Sequence, residues 1–301
     1  MSRRPERLAA IDVGSNTVLL TVAEYDPETG LVVVEEGENQ PRLGAGLGAS
    51  GRLNEEAMRR ALEALTSMRD TCRRLGVSRL AAVATAAVRE AHNGAEFVER
   101  VRALDIPLRV ISPETEAALS YRSAAHHFPD GGPMLVADIG GGSLELVGAR
   151  NGRVNFSRSL ALGAVRLTEL LLPLTQLRQL VQSELDAALP ATEWVGSTVI
   201  GSGGTFATLA SVALARRGTP GRPVHGTMVP AVEVTELLTW LAGMEGARRR
   251  QVPGLRPERS DIIVAGLAVV AGVLDWVQAA GVTVSGFGLR DGLLLEMVGV
   301  V

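Results

Sequence analysis

Short apolar runs bounded by turn-forming residues open the chain. Residues 8–13, 18–23 and 31–34 are such runs, and they are separated by GSNT at 14–17 and by DPETG at 26–30. Runs of this length between turn signals are typical of β-strands. The pattern therefore predicts three consecutive strands that form a β-meander.

Helical periodicity follows the meander. Asn54 is a favoured N-cap residue, and apolar residues at helical spacing from Ala57 to Cys72 predict a long helix after it. The rest of this half predicts strands over 80–84 and 108–111 and helices over 95–103 and 114–125. Strands that alternate with helices indicate an α/β fold.

The opening pattern returns in the second half of the chain. Asp138 ends a predicted strand, as Asp12 does 126 residues earlier, and a glycine-rich turn again follows. The second half predicts strands over 134–139, 144–149, 154–160, 198–200 and 283–286. It predicts helices over 165–171, 175–188, 232–243 and 259–280, and a closing helix from Gly292. A further helix begins at GSGGT, residues 201–205, and ends at 215, and a loop over 216–230 follows it.

We therefore expect two equivalent α/β halves that face a cleft. A break at DGGP, residues 130–133, separates them, which predicts domains over 1–127 and 128–301. The prediction leaves open whether the last helix packs back on the first domain. A chain of 301 residues is long enough for two domains of ordinary size.

Composition narrows the functional class. The chain has 30 basic residues, all of them arginine, and the absence of lysine excludes a P-loop lysine and a Schiff-base lysine. A net charge of −3 and an aromatic content of 3% argue against nucleic-acid binding. One cysteine, Cys72, is typical of a reducing cytoplasm, and the longest apolar run, 262–274, is too short to cross a membrane. We expect a cytoplasmic protein without a membrane partner.

Three glycine-rich turns that follow predicted strands are candidate phosphate-binding loops. Glycine lets backbone amides approach a phosphate, and nearby hydroxyl groups add donors. One such turn alone is more often a simple connection between two elements. Three of them, two preceded by aspartate at a strand end, favour phosphate binding. They are GSNT at 14–17, GGGS at 140–143 and GSGGT at 201–205.

Several charged residues near these turns have a functional and a purely structural interpretation. Asp12 and Asp138 end strands, where a carboxylate either binds Mg²⁺ or caps a turn. Glu145 interrupts an apolar strand, either as a site residue or on a solvated face. Glu116 lies in the first turn of a predicted helix, where the helix dipole alone favours it. Arg89 follows a strand and suits bidentate phosphate contact, although most arginines must be solvated surface.

Nine segments in sequence order carry a set of motifs that covers nearly the whole chain: 10–17 (AIDVGSNT), 42–47 (RLGAGL), 84–91 (ATAAVREA), 113–117 (PETEA), 138–147 (DIGGGSLELV), 162–167 (LGAVRL), 201–205 (GSGGT), 259–266 (RSDIIVAG) and 288–292 (GLRDG). Taken together, they resemble the motifs of the exopolyphosphatase and guanosine pentaphosphate phosphohydrolase (Ppx/GppA) phosphatase family, in its short two-domain form.

The resemblance implies two actin-like, ribonuclease H-like domains of the ASKHA superfamily, with the active site in an interdomain cleft. It implies Mg²⁺-dependent release of the terminal phosphate of inorganic polyphosphate, or of the 5′ phosphate of guanosine pentaphosphate. It also implies a homodimer. The long members carry an additional C-terminal helical region; for a chain that ends at Val301 we expect a preference for shorter polyphosphate.

The resemblance also assigns residues. The family's Gly-x-Glu-Glu-Ala segment matches PETEA, which makes Glu116 the expected general base, while Thr115 and Ala86 depart from the family pattern. Asp138 and Glu145 are expected to bind Mg²⁺, and Glu145 joins Glu116 in the catalytic set. The residues expected to bind substrate are Gly14, Ser15, Asn16, Thr17, Arg89, Gly140, Gly141, Gly142, Ser143, Gly203, Gly204 and Thr205.

Two other functions stay open at this point. An ATP-using kinase or ATPase of the same superfamily would use the same three turns, although no signature of a second substrate is found. A non-catalytic sensor would bind polyphosphate or guanosine pentaphosphate without releasing phosphate. Two carboxylates at Glu116 and Glu145 favour hydrolysis.

Overall fold

The computed structural model describes residues 5–129, 132–188 and 193–300. The chain divides into two compact units: unit 1 is Met1–Ser123 with Leu289–Val301, and unit 2 is Ala124–Gly288. Asp130 and Gly131, half of the predicted break, lie outside the described residues. The domain boundary predicted after residue 127 stays a prediction.

Unit 1 contains one five-stranded sheet. Its strands are β1 (Glu6–Val13), β2 (Val18–Asp26), β3 (Gly30–Asn39), β4 (Arg79–Ala84) and β5 (Leu108–Val110). The order across the sheet is β3-β2-β1-β4-β5, with β1 to β3 antiparallel and β4 and β5 parallel to β1. The predicted β-meander is confirmed.

Helices cover both faces of this sheet. They are α1 (Leu47–Ser50), α2 (Glu55–Arg74), α3 (Ala86–Glu90), α4 (Gly94–Arg102), α5 (Pro113–His127) and, from the end of the chain, α12 (Leu289–Met297). One core joins Ile11 of the sheet to Leu65 of α2 and Phe97 of α4, and another joins Leu8 to Leu119 of α5 and Leu293 of α12. The short helices α1 and α3 were not predicted, because four or five residues are too few to show a helical period.

Unit 2 repeats this arrangement with one strand added. Its strands are β6 (Met134–Ile139), β7 (Leu144–Arg150), β8 (Arg153–Leu160), β9 (Thr198–Ser202), β10 (Thr227–Pro230) and β11 (Gly281–Val284). The order is β10-β11-β9-β6-β7-β8; β6 to β8 are antiparallel, β9 and β11 run parallel to β6, and β10 is antiparallel to β11. The predicted internal repeat is confirmed, because β1 to β4 and β5 match β6 to β9 and β11 in order and direction.

Five helices of unit 2 pack around a large core that joins them to one face of the sheet: α6 (Ala164–Glu169), α7 (Leu174–Ala188), α8 (Gly204–Arg216), α9 (Ala231–Ala242) and α11 (Ile263–Trp276). The short helix α10 (Gly246–Arg249) has no buried residue, and a 3₁₀ helix follows it at Pro257–Arg259. This core contains Leu146 of β7, Val181 of α7, Leu237 of α9 and Val270 of α11. The predicted α/β fold is confirmed in both units, since each has a mixed sheet of the same strand order with helices packed on it.

Three predicted segments of unit 2 were wrong in detail. The loop predicted over 216–230 contains β10, a four-residue edge strand whose only signal is its pairing with β11. The helix predicted over 259–280 is shorter, since α11 ends where Gln278 turns to φ 49° and the amide of Ala279 donates to the carbonyl of Leu274 at 3.0 Å. The left-handed residue that ends a helix is usually glycine or asparagine, so a glutamine at this position does not predict the end of the helix. The strand predicted over 283–286 is Gly281–Val284.

Every helix in the described part of the chain is too short or too polar to span a membrane.

The predicted N-cap of α2 supplies a first test. The Asn54 side chain accepts hydrogen bonds from the amides of Glu56 at 2.9 Å and Ala57 at 3.2 Å. Asn54→Ala should lower the free energy of unfolding by about 1 kcal/mol, because two helix-end amides lose their acceptor. Urea unfolding followed by circular dichroism measures this, with Asn54→Asp as the control that keeps an acceptor. Equal stability of the alanine variant and the native chain would contradict it.

Candidate functional site

The turns that follow β1 and β6 have the same geometry. In each, four residues connect two antiparallel strands, and the first amide donates to the carbonyl of the fourth residue: Gly14 to Thr17 at 2.9 Å and Gly140 to Ser143 at 3.0 Å. Asp12 and Asp138 occupy the same position, two residues before each turn. The two halves of the chain therefore present two equivalent turns.

The turn of unit 2 is held through its carbonyl groups. The carbonyl of Gly140 accepts from the amide of Ala164 at 3.0 Å, and that of Gly141 accepts from the amide of Val165 at 3.0 Å. Arg166 Nε donates to the carbonyl of Gly142 at 2.8 Å. Among the described residues, none accepts a hydrogen bond from the amides of Gly141, Gly142 or Ser143. A turn fixed by its carbonyls with its amides available is suited to an anion.

The turn of unit 1 is held in the same way. The carbonyl of Ser15 accepts from the amide of Gly44 at 2.7 Å, and that of Asn16 accepts from the amide of Arg42 at 3.1 Å. The Asn16 side chain is 5% exposed, and neither its Oδ1 nor its Nδ2 has a hydrogen-bond partner among the described residues. Because buried polar groups are normally hydrogen-bonded, this amide is available to a ligand.

Gly163 gives a direct test of the unit 2 turn. A Cβ at this position would lie 2.2 Å from the carbonyl carbon of Gly142 and 2.4 Å from the amide nitrogen of Ser143. Gly163→Ala must therefore displace the turn, and we expect kcat/KM for any reaction that uses this turn to fall about 10²-fold. Gly246→Ala, where a Cβ meets nothing within 4 Å, is the matched control. Steady-state kinetics measures both; full activity of the Gly163 variant would show that the turn plays no part.

The third glycine-rich turn connects β9 to α8. Gly203 has φ 91°, and a Cβ there would lie 2.8 Å from Asp138 Oδ1. Gly204 is the first residue of α8. It packs directly against the guanidinium group of Arg259, because a Cβ on Gly204 would lie 2.1 Å from that group. Thr205 is buried, and its side chain packs against Gly266 of α11. Gly203 thus adjoins Asp138, whereas the Thr205 side chain faces a helix.

A row of polar side chains crosses the unit 2 sheet at this edge. Asp138 pairs in register with Glu145 on β7 and with Ser202 on β9, and Glu145 pairs with Ser159 on β8. Residues directly opposite each other on neighbouring strands point to the same face. Ser159 Oγ donates to Glu145 Oε1 at 2.9 Å. Two carboxylates therefore lie side by side, one of them next to Gly203.

Burial decides between the two interpretations of Glu145. Its side chain is 2% exposed, so the solvated-face alternative is wrong. The equivalent row of unit 1 places Leu19 and Val83 beside Asp12, and both are apolar. The fold alone therefore does not require polar groups beside the aspartate, and the carboxylate pair is a property of unit 2.

This pair fits Mg²⁺. No group of three or more His, Cys, Asp or Glu side chains suited to a metal is present among the described residues. Mg²⁺ usually binds through one or two carboxylates and completes its octahedron with water and substrate phosphate. Asp138 and Glu145 are thus a sufficient protein contribution, and a zinc-type cage is not formed by the described residues.

Glu116 and Arg89 meet in unit 1. Glu116 lies in the first turn of α5 and is 8% exposed, whereas its neighbour Glu114 is exposed. Arg89, on α3, contacts Glu116 Oε2 through Nη1 at 3.1 Å and donates from the same nitrogen to the carbonyl of Ile111 at 2.9 Å. Arg89, predicted to bind phosphate, therefore holds the carboxylate of the predicted base. Its contact with phosphate stays a prediction.

Sequence reasoning missed Gly163, Ser202 and Gly288 as site residues. All three lie inside motifs identified in the sequence, LGAVRL, GSGGT and GLRDG, but only the packing shows that Gly163 abuts the turn backbone. Gly288 lies next to the Asp138 side chain, since a Cβ on Gly288 would lie 3.8 Å from Asp138 Oδ2. Such approaches join residues far apart in the chain and leave no local signal.

Comparison with known proteins gives the family. The model of the Ppx/GppA phosphatase family matches residues 21–300. Exopolyphosphatase 2 of Mycobacterium tuberculosis is 31% identical, over 97% of this chain and 99% of its own. The crystal structure of an exopolyphosphatase from Cytophaga hutchinsonii has a TM-score of 0.91 and 25% identity, over 98% of this chain and 99% of its own. A Ppx/GppA family member from Aquifex aeolicus has a TM-score of 0.81 and 28% identity, over 97% of each chain.

The chain is a member of the Ppx/GppA phosphatase family. The predicted family is confirmed, and with it the class of phosphatase enzyme.

Proposed function

We propose that this protein is an exopolyphosphatase that hydrolyses the terminal phosphoanhydride bond of inorganic polyphosphate and releases orthophosphate, with Mg²⁺ as cofactor. The observation that carries the proposal is the carboxylate pair Asp138 and Glu145 beside a glycine-rich turn whose amides are available to an anion. Together these groups suit a phosphate chain accompanied by a divalent cation.

Each of the two equivalent turns would bind phosphate oxygens. The amides of 14–17 and 140–143 would donate to phosphate oxygens, with the Asn16 amide and the Ser143 hydroxyl as side-chain donors. Asp138 and Glu145 would hold Mg²⁺, which when bound neutralises charge on the phosphate chain and the transferred phosphoryl group. This explains how a chain without lysine could bind a polyanion.

Glu116 would act as the general base. Hydrolysis needs a water molecule in line with the leaving oxygen and an acceptor for its proton. Arg89 Nη1, 3.1 Å from Glu116 Oε2, would hold the carboxylate in the position from which it orients the water. A glutamate held in this way is preorganised, because its carboxylate need not reorient when substrate binds.

The names of relatives favour polyphosphate as the substrate. Both the M. tuberculosis relative and the C. hutchinsonii structure are described as exopolyphosphatases. Guanosine pentaphosphate carries the same terminal phosphate chemistry and is the alternative that the test must separate.

The test is orthophosphate release by the purified protein with Mg²⁺, offered tripolyphosphate, long-chain polyphosphate, guanosine pentaphosphate and ATP in parallel. We expect the highest kcat/KM on polyphosphate, with release abolished by excess chelator. A preference for guanosine pentaphosphate would identify the protein as a guanosine pentaphosphate phosphohydrolase instead. Tight binding without release would identify a sensor, and ADP formation that depends on an acceptor would identify a kinase.

A further inference from the structure

Ser202 is a buried polar residue without a partner. It ends β9, it is 2% exposed, and its Oγ has no hydrogen-bond partner among the described residues. Buried hydroxyl groups in folded proteins are almost always hydrogen-bonded to protein, water or ligand. This hydroxyl is therefore available to a group that the chain itself does not supply.

The surroundings of Ser202 place its hydroxyl beside the carboxylate of Asp138. Ser202 is the in-register neighbour of Asp138, so both side chains project from the same face of the sheet. Gly288 faces both: a Cβ there would lie 3.8 Å from Ser202 Oγ and 3.8 Å from Asp138 Oδ2. Because glycine carries no side chain, the hydroxyl and the carboxylate border the same space.

The two halves of the chain differ at this position. In unit 1 the equivalent neighbour of Asp12 is Val83, which is fully buried and belongs to an apolar core. The fold therefore accepts an apolar side chain here. The hydroxyl of Ser202 accompanies the carboxylate pair of unit 2.

We propose that Ser202 is a phosphate-binding residue whose hydroxyl donates a hydrogen bond to an oxygen of the phosphate group bound beside Asp138. The assignment rests on the proposed function and extends it by one contact. A hydroxyl offers a neutral donor, which an anion needs, whereas Asp138 and Glu145 already supply the charged oxygens that Mg²⁺ prefers. The predicted ligand of Ser202 is thus the anion and not the cation.

Ser197 provides a matched control. It immediately precedes β9, at the opposite end of that strand, and it too is a buried serine whose Oγ has no partner among the described residues. Ser197→Ala removes the same atom from a similar environment away from the carboxylate pair. Any general effect of deleting a buried hydroxyl should therefore appear equally in both variants.

The test compares Ser202→Ala and Ser197→Ala with the native protein by isothermal titration calorimetry. The probes are inorganic phosphate in the presence of Mg²⁺, and Mg²⁺ alone; KM for tripolyphosphate is measured alongside. We expect Ser202→Ala to weaken phosphate binding about 10- to 100-fold, the effect of losing one hydrogen bond to a charged group. Mg²⁺ affinity should stay within about twofold and thermal stability should not fall, since the deleted hydroxyl has no protein partner. Ser197→Ala should bind both probes as the native protein does.

The contrary results separate the two levels of the proposal. Native phosphate affinity in Ser202→Ala, or an equal loss of affinity for Mg²⁺ alone, would overturn the role of Ser202 and leave the proposed function intact. A native protein that neither binds nor releases phosphate would overturn the proposed function, and the assignment of Ser202 with it.

Discussion

Glu116→Gln should lower kcat for orthophosphate release from polyphosphate by about 10²- to 10⁴-fold, the usual contribution of a general base. Glutamine keeps the size of the side chain and its buried place in the first turn of α5, but it cannot accept the proton of the attacking water. KM should change little, because the proposed phosphate contacts lie in the turns at 14–17 and 140–143. Steady-state kinetics with tripolyphosphate and Mg²⁺ measures both constants.

Glu114→Gln is the matched control for this variant. Glu114 lies two residues earlier in the same helical turn and is exposed to solvent. Its loss should leave kcat near the native value. If both glutamine variants retain native kcat, or both lose activity to the same degree, Glu116 is not the base.

The second large effect is expected at Asp138. Asp138→Asn should weaken Mg²⁺ binding by about 100-fold or more and reduce phosphate release in parallel, because one of two charged ligands is lost. Asparagine has nearly the same shape, which matters because the side chain is packed against Gly203. The readouts are calorimetric titration with Mg²⁺ and the shift of the unfolding temperature that Mg²⁺ produces.

Asp12→Asn is the corresponding change in unit 1. Asp12 occupies the equivalent strand position, but Leu19 stands opposite it where Glu145 stands opposite Asp138. We therefore expect Asp12→Asn to retain native Mg²⁺ affinity. Equal losses in the two variants would contradict the assignment of the metal to Asp138 and Glu145.

Local pattern predicted most of the fold because the elements that carry it are long or sharply bounded. The helix after Asn54 and the strands around both glycine-rich turns lie within a few residues of their predicted bounds. The elements that were missed or misplaced depend on contacts between distant segments. Strand β10 exists through its pairing with β11, and the end of α11 depends on a left-handed Gln278.

The candidate site divides in the same way. Glycine-rich turns and the aspartate before each were visible in the sequence, because chemistry and backbone geometry both leave local signals there. The register that places Glu145 and Ser202 beside Asp138 is a property of the assembled sheet. In the sequence, Glu116 could not be distinguished from an acidic residue that is placed in a first helical turn only because the helix dipole favours it there. Only the family resemblance identified it as the expected base. Its burial and its contact with Arg89 distinguish it in the structure from the exposed Glu114.

The repeated topology shows how a duplicated scaffold can hold an asymmetric site. Both units keep the meander, the aspartate and the turn with its amides available. They differ beside the aspartate, where Leu19 and Val83 of unit 1 correspond to Glu145 and Ser202 of unit 2. We therefore propose that the two units differ in function through a few side chains on the strands and not through the fold itself.

The most direct test of the central proposal is a ³¹P NMR time course of tripolyphosphate with Mg²⁺ and the purified protein. We predict that the tripolyphosphate signals decline while orthophosphate and pyrophosphate grow together, and that the same sample with Glu116→Gln stays unchanged over that time. A native protein that leaves tripolyphosphate intact, or a glutamine variant that cleaves it at the native rate, would contradict the account.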